Sequence, residues 1–134
     1  MKLHTYLSFD GKTEEAFETY AAILGGKVTA VNRYRDTPAA AQVSSGAQDA
    51  VMHARLEIGD RVLMGSDAIP EYPYRPIVGA QVVIDLDDPS EAERIYAALS
   101  EGGRIELPLQ ETFWSRKFAM FVDRFGVPWM INCV

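Results

Sequence analysis

The chain has 134 residues, with 19 acidic and 13 basic side chains and a formal net charge of −6. This length is typical of one compact domain, which can bury about two thirds of its unfolded surface without disulfide or metal staples. The acidic balance argues against a nucleic-acid backbone or an anionic membrane as partner, because both attract basic surfaces. It is compatible with a cationic ligand.

Cys133 is the single cysteine of the chain. An intrachain disulfide and a cysteine-rich metal site are therefore excluded. The N-terminal residues lack an apolar stretch of signal-peptide length, and no segment approaches the roughly 20 apolar residues that span a bilayer. We predict a cytoplasmic protein.

The first half of the chain predicts one helix among four strands. Segments that are β-rich or alternate in polarity predict strands at residues 5–9, 27–34, 51–58 and 61–65. A helix is expected after Thr13, a plausible N-cap, and Gly25 is expected to end it in the left-handed conformation. The small and polar residues 37–48 predict a mobile loop.

The second half predicts the same order of elements. Its predicted strands lie at residues 81–86, 104–108, 117–122 and 128–133. Ser90 and Glu93 form a capping-box pattern at the start of its helix. Three prolines within residues 69–78 predict a linker between the halves.

The two halves share sequence as well as element order. AFETYAAILGGKV, from residue 16, aligns with AERIYAALSEGGRI, from residue 92. The match places Tyr20 on Tyr96 at an offset of 76 and the glycine pair on the second glycine pair at an offset of 77. We infer an internal duplication. The predicted fold is α+β, one domain over residues 1–134 made of two βαβββ modules, about 1–68 and 78–134, which together enclose a core or a cleft.

Three segments carry a resemblance to a known family: YLSFDGKTEEAFETYAAILGG, LMGSDA and QETFWSRKFAMFVDRFGVPWMIN. Together they resemble the PhnB-like, or demethylubiquinone methyltransferase-like, branch of the vicinal-oxygen-chelate superfamily, which includes glyoxalase I, bleomycin resistance proteins and extradiol dioxygenases. The resemblance implies a homodimer whose sheets curl around small-molecule clefts. A methyltransferase activity has no independent support, because no glycine-rich loop joins a strand to a helix.

The resemblance also implies where metal ligands would lie. The four strand positions fall on His4, Gln81, Met64 and Met130. Gln81 matches His4 at an offset of 77 and is preferred to Ala80, which matches at an offset of 76. The last two are usually Glu in metal-dependent members, and thioethers suit copper(I) rather than divalent manganese, iron, nickel or zinc. We therefore expect no cofactor; a divalent metal is the less favoured alternative, with His4 its one strong ligand and Gln81 a weak one.

An aromatic segment is the strongest candidate for ligand contact outside those positions. Glu111, Phe113 and Trp114 lie in a predicted loop, where aromatic side chains either close a core or a dimer interface or cap a ligand cleft. Both interpretations are open. Methionine and aromatic side chains could also line a soft cavity, although core packing is the commoner role of such residues: Tyr6, Met64, Met120, Trp129 and Met130.

Two polar residues have competing interpretations. His53 shares one face of its predicted strand with Arg55 and Glu57, which predicts either a partly solvated sheet face or a proton donor that lines a cleft. Asp67 could orient a ligand hydroxyl or, as we prefer, cap the turn after its strand.

Three functions follow as hypotheses. The first is a protein that binds a small organic molecule, with His4, Tyr6, Met64, Gln81, Glu111, Phe113, Trp114 and Met130 as its ligand-binding residues. The second is a metal-dependent lyase, isomerase or dioxygenase, supported by the resemblance and by His4. The third is a non-catalytic interaction module.

Overall fold

The structure is a computed structural model that describes all 134 residues. Its contacts divide the chain into two units, Met1–Arg75 (unit 1) and Pro76–Val134 (unit 2). Each unit contains one twelve-residue α-helix and a mixed sheet of four strands. The predicted α+β class and the tandem βαβββ order are confirmed, with the strands divided between two separate sheets. No helix is long and apolar enough to cross a membrane.

Unit 1 has the sheet order β1-β4-β3-β2, with β1 parallel to β4 and the other pairs antiparallel. Its elements are β1 (Thr5–Phe9), α1 (Thr13–Leu24), β2 (Lys27–Arg33), β3 (Val51–Ile58) and β4 (Arg61–Asp67). The segment predicted as a mobile loop contains two short 3₁₀ helices, Pro38–Gln42 and Ser45–Ala47, and a third, Tyr34–Asp36, overlaps the predicted end of β2.

Unit 2 repeats this arrangement in the order β5-β8-β7-β6. Its elements are β5 (Val82–Leu86), α2 (Pro89–Ser100), β6 (Arg104–Gln110), β7 (Lys117–Val122) and β8 (Pro128–Cys133). Tyr6 pairs with Met64 in one sheet and Val83 with Met130 in the other. The offset of 77 that places His4 on Gln81 therefore agrees with the strand registers.

Both helices begin differently from the prediction. Thr13 is the first residue of α1 rather than its cap, and its buried side chain bonds to Asp67 instead of to the helix. The N-cap of α2 is Asp88, whose carboxylate accepts a hydrogen bond from the backbone N–H of Ser90 at 2.9 Å. Pro89 follows at the first helical position, where its missing N–H costs nothing, so the capping box at Ser90 was wrong.

The duplicated glycine pair has one conformational and one steric role. Gly25 and Gly102 have φ of 73° and 75°, in the left-handed region that ends or follows each helix. The second glycine of each pair lies against backbone: a Cβ on Gly26 would be 2.8 Å from the Glu57 oxygen, and one on Gly103 would be 2.1 Å from the Val122 oxygen. The pair therefore lets the polypeptide turn after each helix and then pass close to the neighbouring strand.

The hydrophobic core of each unit lies between its helix and one face of its sheet. In unit 1, Phe9, Phe17 and Tyr20 are fully buried and their rings contact one another in sequence. In unit 2, Tyr96 packs edge-on against the buried Phe121, with ring centroids 5.8 Å apart. The other face of each sheet carries no helix of its own unit, and we call it the open face.

Candidate functional site

The open face of unit 1 is mostly polar. One row of side chains crosses its four strands in register: Tyr6, Met64, Arg55 and Ala30. Arg55 lies 3.9 Å from the carboxylate of Glu57, and the ring of Tyr6 lies 6.0 Å from that of His53. The predicted alternation of His53, Arg55 and Glu57 against buried Ala54 and Leu56 is confirmed.

Phenol groups gather at one end of this unit. The pKa of Tyr34 is raised, first by burial of its hydroxyl and then by the nearby phenols of Tyr6 and Tyr72 and the carboxylate of Glu71. Glu71 in turn accepts a hydrogen bond from the backbone N–H of Ser44 at 3.1 Å. Tyr34 is therefore a neutral phenol at physiological pH.

The open face of unit 2 is apolar where that of unit 1 is polar. Its equivalent row contains no charged or hydroxyl-bearing side chain: Val83, Met130, Met120 and Leu107. Val83 is 51% exposed, and the other three are half-buried. Exposed apolar side chains that adjoin one another mark a binding surface more often than single ones do.

An aromatic ladder lies beside this apolar row and begins at Phe118, two residues from Met120 on β7. Phe118 lies directly opposite Asn132 in the sheet and contacts the ring of Trp114 at 5.3 Å, and Trp114 contacts Phe113 at 4.6 Å. Phe113 is 97% exposed and Trp114 50% exposed, so neither closes the core of the chain. The core alternative for these two residues was wrong; the dimer-interface and ligand-capping alternatives stay open.

Hydrogen bonds hold the aromatic loop, residues 111–116, in place. The buried Ser115 hydroxyl lies 2.9 Å from the Lys117 carbonyl and 2.8 Å from the Cys133 carbonyl, and Arg116 bonds to the backbone of Asp87 and Val134. An open groove of about 230 Å³ lies along the loop, and Glu111, Phe113 and Trp114 are among its lining residues. The loop therefore presents its aromatic rings on a fixed backbone.

Two buried carboxylates that resemble site residues are structural. Asp67 accepts hydrogen bonds from the Thr13 N–H at 3.0 Å, the Thr13 hydroxyl at 2.7 Å and the Val51 N–H at 2.8 Å. It therefore joins the start of α1 to β3 rather than capping its own turn. Asp123 accepts from the indole N–H of Trp129 at 2.8 Å, so this buried ring faces the core and not the predicted soft cavity.

The donor set for a metal does not fit the ions that the superfamily uses. His4 and Gln81 are exposed and precede the first strand of their units, and Met64 and Met130 lie inside the last strands. No three His, Cys, Asp or Glu side chains come together as a possible metal site. One imidazole, one amide and two thioethers are a poor set for manganese, iron, nickel or zinc. The absence of a cofactor stays a prediction.

The predicted site residues thus divide between the units. Tyr6 and Met64 adjoin in unit 1, and Met130, Trp114 and Phe113 belong to the apolar face and loop of unit 2. Sequence reasoning missed Phe118 and the paired Asp85 and Asn132 on the same face. Alternation in KFAMFV was the available signal for Phe118, but the pairing of Asp85 with Asn132 needs the sheet register.

Comparison with solved structures agrees with the fold described above. The chain shares its fold with a glyoxylase/bleomycin resistance protein/dioxygenase domain from Frankia sp. EAN1pec, at a TM-score of 0.66 and 15% identity over 99% of this chain and 96% of that one. The fold class is therefore that of the glyoxalase, bleomycin resistance and dioxygenase proteins.

The sequence profile of the family described as 3-demethylubiquinone-9 3-methyltransferase matches residues 1–132, and the chain belongs to this family. Protein YjdN of Escherichia coli (strain K12) is 37% identical over 142 residues, covering 100% of this chain and 96% of that protein.

Two solved structures are also similar. The crystal structure of protein PA1353 from Pseudomonas aeruginosa has a TM-score of 0.91 and 44% identity over 99% of this chain and 97% of that one. A Bacillus cereus protein described as a putative 3-demethylubiquinone-9 3-methyltransferase, PhnB protein, has a TM-score of 0.80 and 22% identity over the full length of both chains. These matches agree with the resemblance seen in the sequence.

Proposed function

We propose that this protein binds a small organic molecule on the open face of unit 2, with the aromatic loop as one wall of the site. The observation that carries the proposal is the uninterrupted apolar row from Val83 to Leu107, with the ladder of Phe118, Trp114 and Phe113 beside it. Ligand sites are lined mainly by such side chains, with few polar groups among them. The proposal assigns no reaction and needs no metal.

The sheet edges and the exposed aromatic rings also support the expectation of a homodimer in solution. Each sheet has two edge strands, and unit 2 leaves aromatic rings exposed. A second copy of the chain would remove part of this surface from water. Sedimentation of the purified protein as a dimer would support this assembly, and sedimentation as a monomer at all concentrations would contradict it.

A neutral aromatic fluorophore, N-phenyl-1-naphthylamine, tests ligand binding without knowledge of the physiological ligand. We expect saturable binding, seen as enhanced probe emission and as quenching of Trp114, the more exposed of the two tryptophans. Trp114→Ala should weaken binding about tenfold, because an aromatic contact contributes roughly 1–2 kcal/mol.

Met130 supplies a matched pair of variants for the same titration. Met130→Leu keeps the apolar area of the row and should keep the affinity within about twofold. Met130→Gln has a similar volume but places an amide in the row, which costs roughly 1–3 kcal/mol when a ligand covers it. Probe binding that does not saturate, or that is equal in both variants, would contradict a site on this face.

A further inference from the structure

Asp85 and Asn132 form a polar pair within the apolar open face of unit 2. They lie directly opposite each other on the parallel strands β5 and β8, and the Asn132 amide N–H donates to the Asp85 carboxylate at 2.8 Å. The neighbours of Asn132 along β8, Ile131 and Cys133, are buried on the other face. The pair therefore belongs to the same face as Val83 and Met130.

Hydrogen-bonding capacity at this pair is only partly used. The side-chain oxygen of Asn132 is shielded from solvent and accepts no hydrogen bond. The bond to Asp85 fixes the amide orientation, because the reverse orientation would bring two oxygens together. An oxygen that water does not reach is closed to a ligand donor as well, so the part that Asn132 plays is to hold the exposed Asp85 carboxylate in place.

The surroundings of the pair favour a cationic donor. Asp85 forms no ion pair, and the two basic residues at the start of the neighbouring strand have other partners. Lys117 lies on the helix-facing side of the sheet and pairs with Glu93 at 2.7 Å, and the Arg116 guanidinium bonds to the backbone carbonyls of Asp87 and Val134. Phe118 lies opposite Asn132, with Trp114 on its ring. Aromatic faces attract cations, and a carboxylate without a cation repels anions.

Unit 1 has no carboxylate and amide pair at the equivalent positions. Ser8 and Ser66 occupy the places of Asp85 and Asn132 and pair in the same register. Hydroxyl groups both donate and accept, so they do not discriminate by ligand charge. Charge selectivity would therefore come from unit 2 alone.

We propose that Asp85 and Asn132 are specificity residues that bind a protonated amine on an aromatic or apolar ligand. The ammonium group would donate to the exposed Asp85 carboxylate, which the Asn132 amide positions, while the body of the ligand covers the apolar row. This inference rests on the proposed function, since it names the ligand class of the same site.

Three probes of one shape and different charge test the inference: 2-phenylethylamine, 2-phenylethanol and phenylacetate. Each is used to displace N-phenyl-1-naphthylamine from the full chain at neutral pH. We expect the amine to bind at least tenfold more tightly than phenylacetate, with the alcohol between them. Asp85→Asn should reduce the advantage of the amine over the alcohol to about twofold or less, whereas Ser8→Ala, the matched change in unit 1, should leave it unaltered.

The outcomes separate this inference from the proposed function. Equal displacement by all three probes, or an amine preference that survives Asp85→Asn, would overturn the amine subsite and leave binding on the apolar face intact. Failure of the fluorophore to bind the wild-type chain would overturn the proposed function, and the amine subsite would fall with it.

Discussion

The two sheets of this protein have the same framework but different open faces. Where unit 1 has Tyr6, Arg55 and His53, unit 2 has Val83, Met120 and Phe118 at the equivalent register positions. The helix-facing sides, by contrast, are apolar in both units. The duplication therefore repeats the backbone and the core, and the difference between the units lies on the faces available to a ligand.

The largest expected effect tests the shared framework through the second glycine of each pair. Gly103→Ala should destabilise the protein by about 3 kcal/mol or more, because its Cβ would overlap the Val122 carbonyl and the Asp123 backbone, which cannot move aside as a side chain can. Gly26→Ala makes a less severe contact and should cost roughly 1–3 kcal/mol. Urea unfolding of both variants measures the two losses of stability. A larger loss for Gly26→Ala than for Gly103→Ala would contradict the steric argument.

The next largest loss of stability is expected at Asp67, whose carboxylate is absent from the equivalent position of unit 2. Asp67→Ala leaves the Thr13 and Val51 donors without their acceptor, so we expect a loss of roughly 2–3 kcal/mol. Asp67→Asn keeps one acceptor oxygen and should lose less. The equivalent residue of unit 2, Cys133, makes no such side-chain bonds. Thermal unfolding of both variants provides the measurement, and a change below about 0.5 kcal/mol in Asp67→Ala would show that the tether is unimportant.

The ion pair between Glu14 and Arg33 gives a smaller effect. Its oxygen and nitrogen are 2.5 Å apart, and the hydrogen bond and charge of Glu14 raise the pKa of Arg33. Because both side chains are more than a third exposed, water and salt screen the pair. Glu14→Gln should cost about 0.5 kcal/mol at low salt, and the difference should vanish in molar salt. A salt-independent loss would indicate a packing role instead.

The smallest effect on stability is expected at the tip of the aromatic loop. Phe113→Ser should change the free energy of unfolding by less than about 0.5 kcal/mol, because the ring is almost fully exposed. The same variant should weaken binding of the fluorophore about threefold, since the ring is part of the aromatic ladder. A large loss of stability without a change in binding would place Phe113 in the framework rather than in the site.

Much of the framework could be predicted because its signals are local. Alternating strands, helical spacing and the repeated glycine pair predict the βαβββ order, and the bounds of β3, β7 and β8 agree with the prediction. The two predicted helix starts were wrong for different reasons. Asp88, followed by Pro89, caps α2 in place of the neighbouring Ser90, and the side chain of Thr13 bonds to Asp67, a residue 54 positions away.

The candidate site was harder to predict because it depends on which strands adjoin. Trp114 and Met130 were identified from the sequence, but their continuity with Phe118 and Met120 follows from the antiparallel pairing of β7 with β8. The bond between Asn132 and Asp85 has no sequence signal, since it depends on the pairing of β5 with β8. The assignments of His4, Gln81 and Glu111 to ligand binding stay predictions.

The five methionines allow the most direct test of the central claim, that the open face of unit 2 holds the apolar part of a ligand. Methyl-labelled protein is titrated with N-phenyl-1-naphthylamine and followed by two-dimensional carbon–proton NMR. We predict the largest saturable shifts at Met120 and Met130, with little change at Met52, whose sulfur lies 3.6 Å from the Thr37 hydroxyl. Saturable binding that leaves both Met120 and Met130 unshifted would contradict the claim.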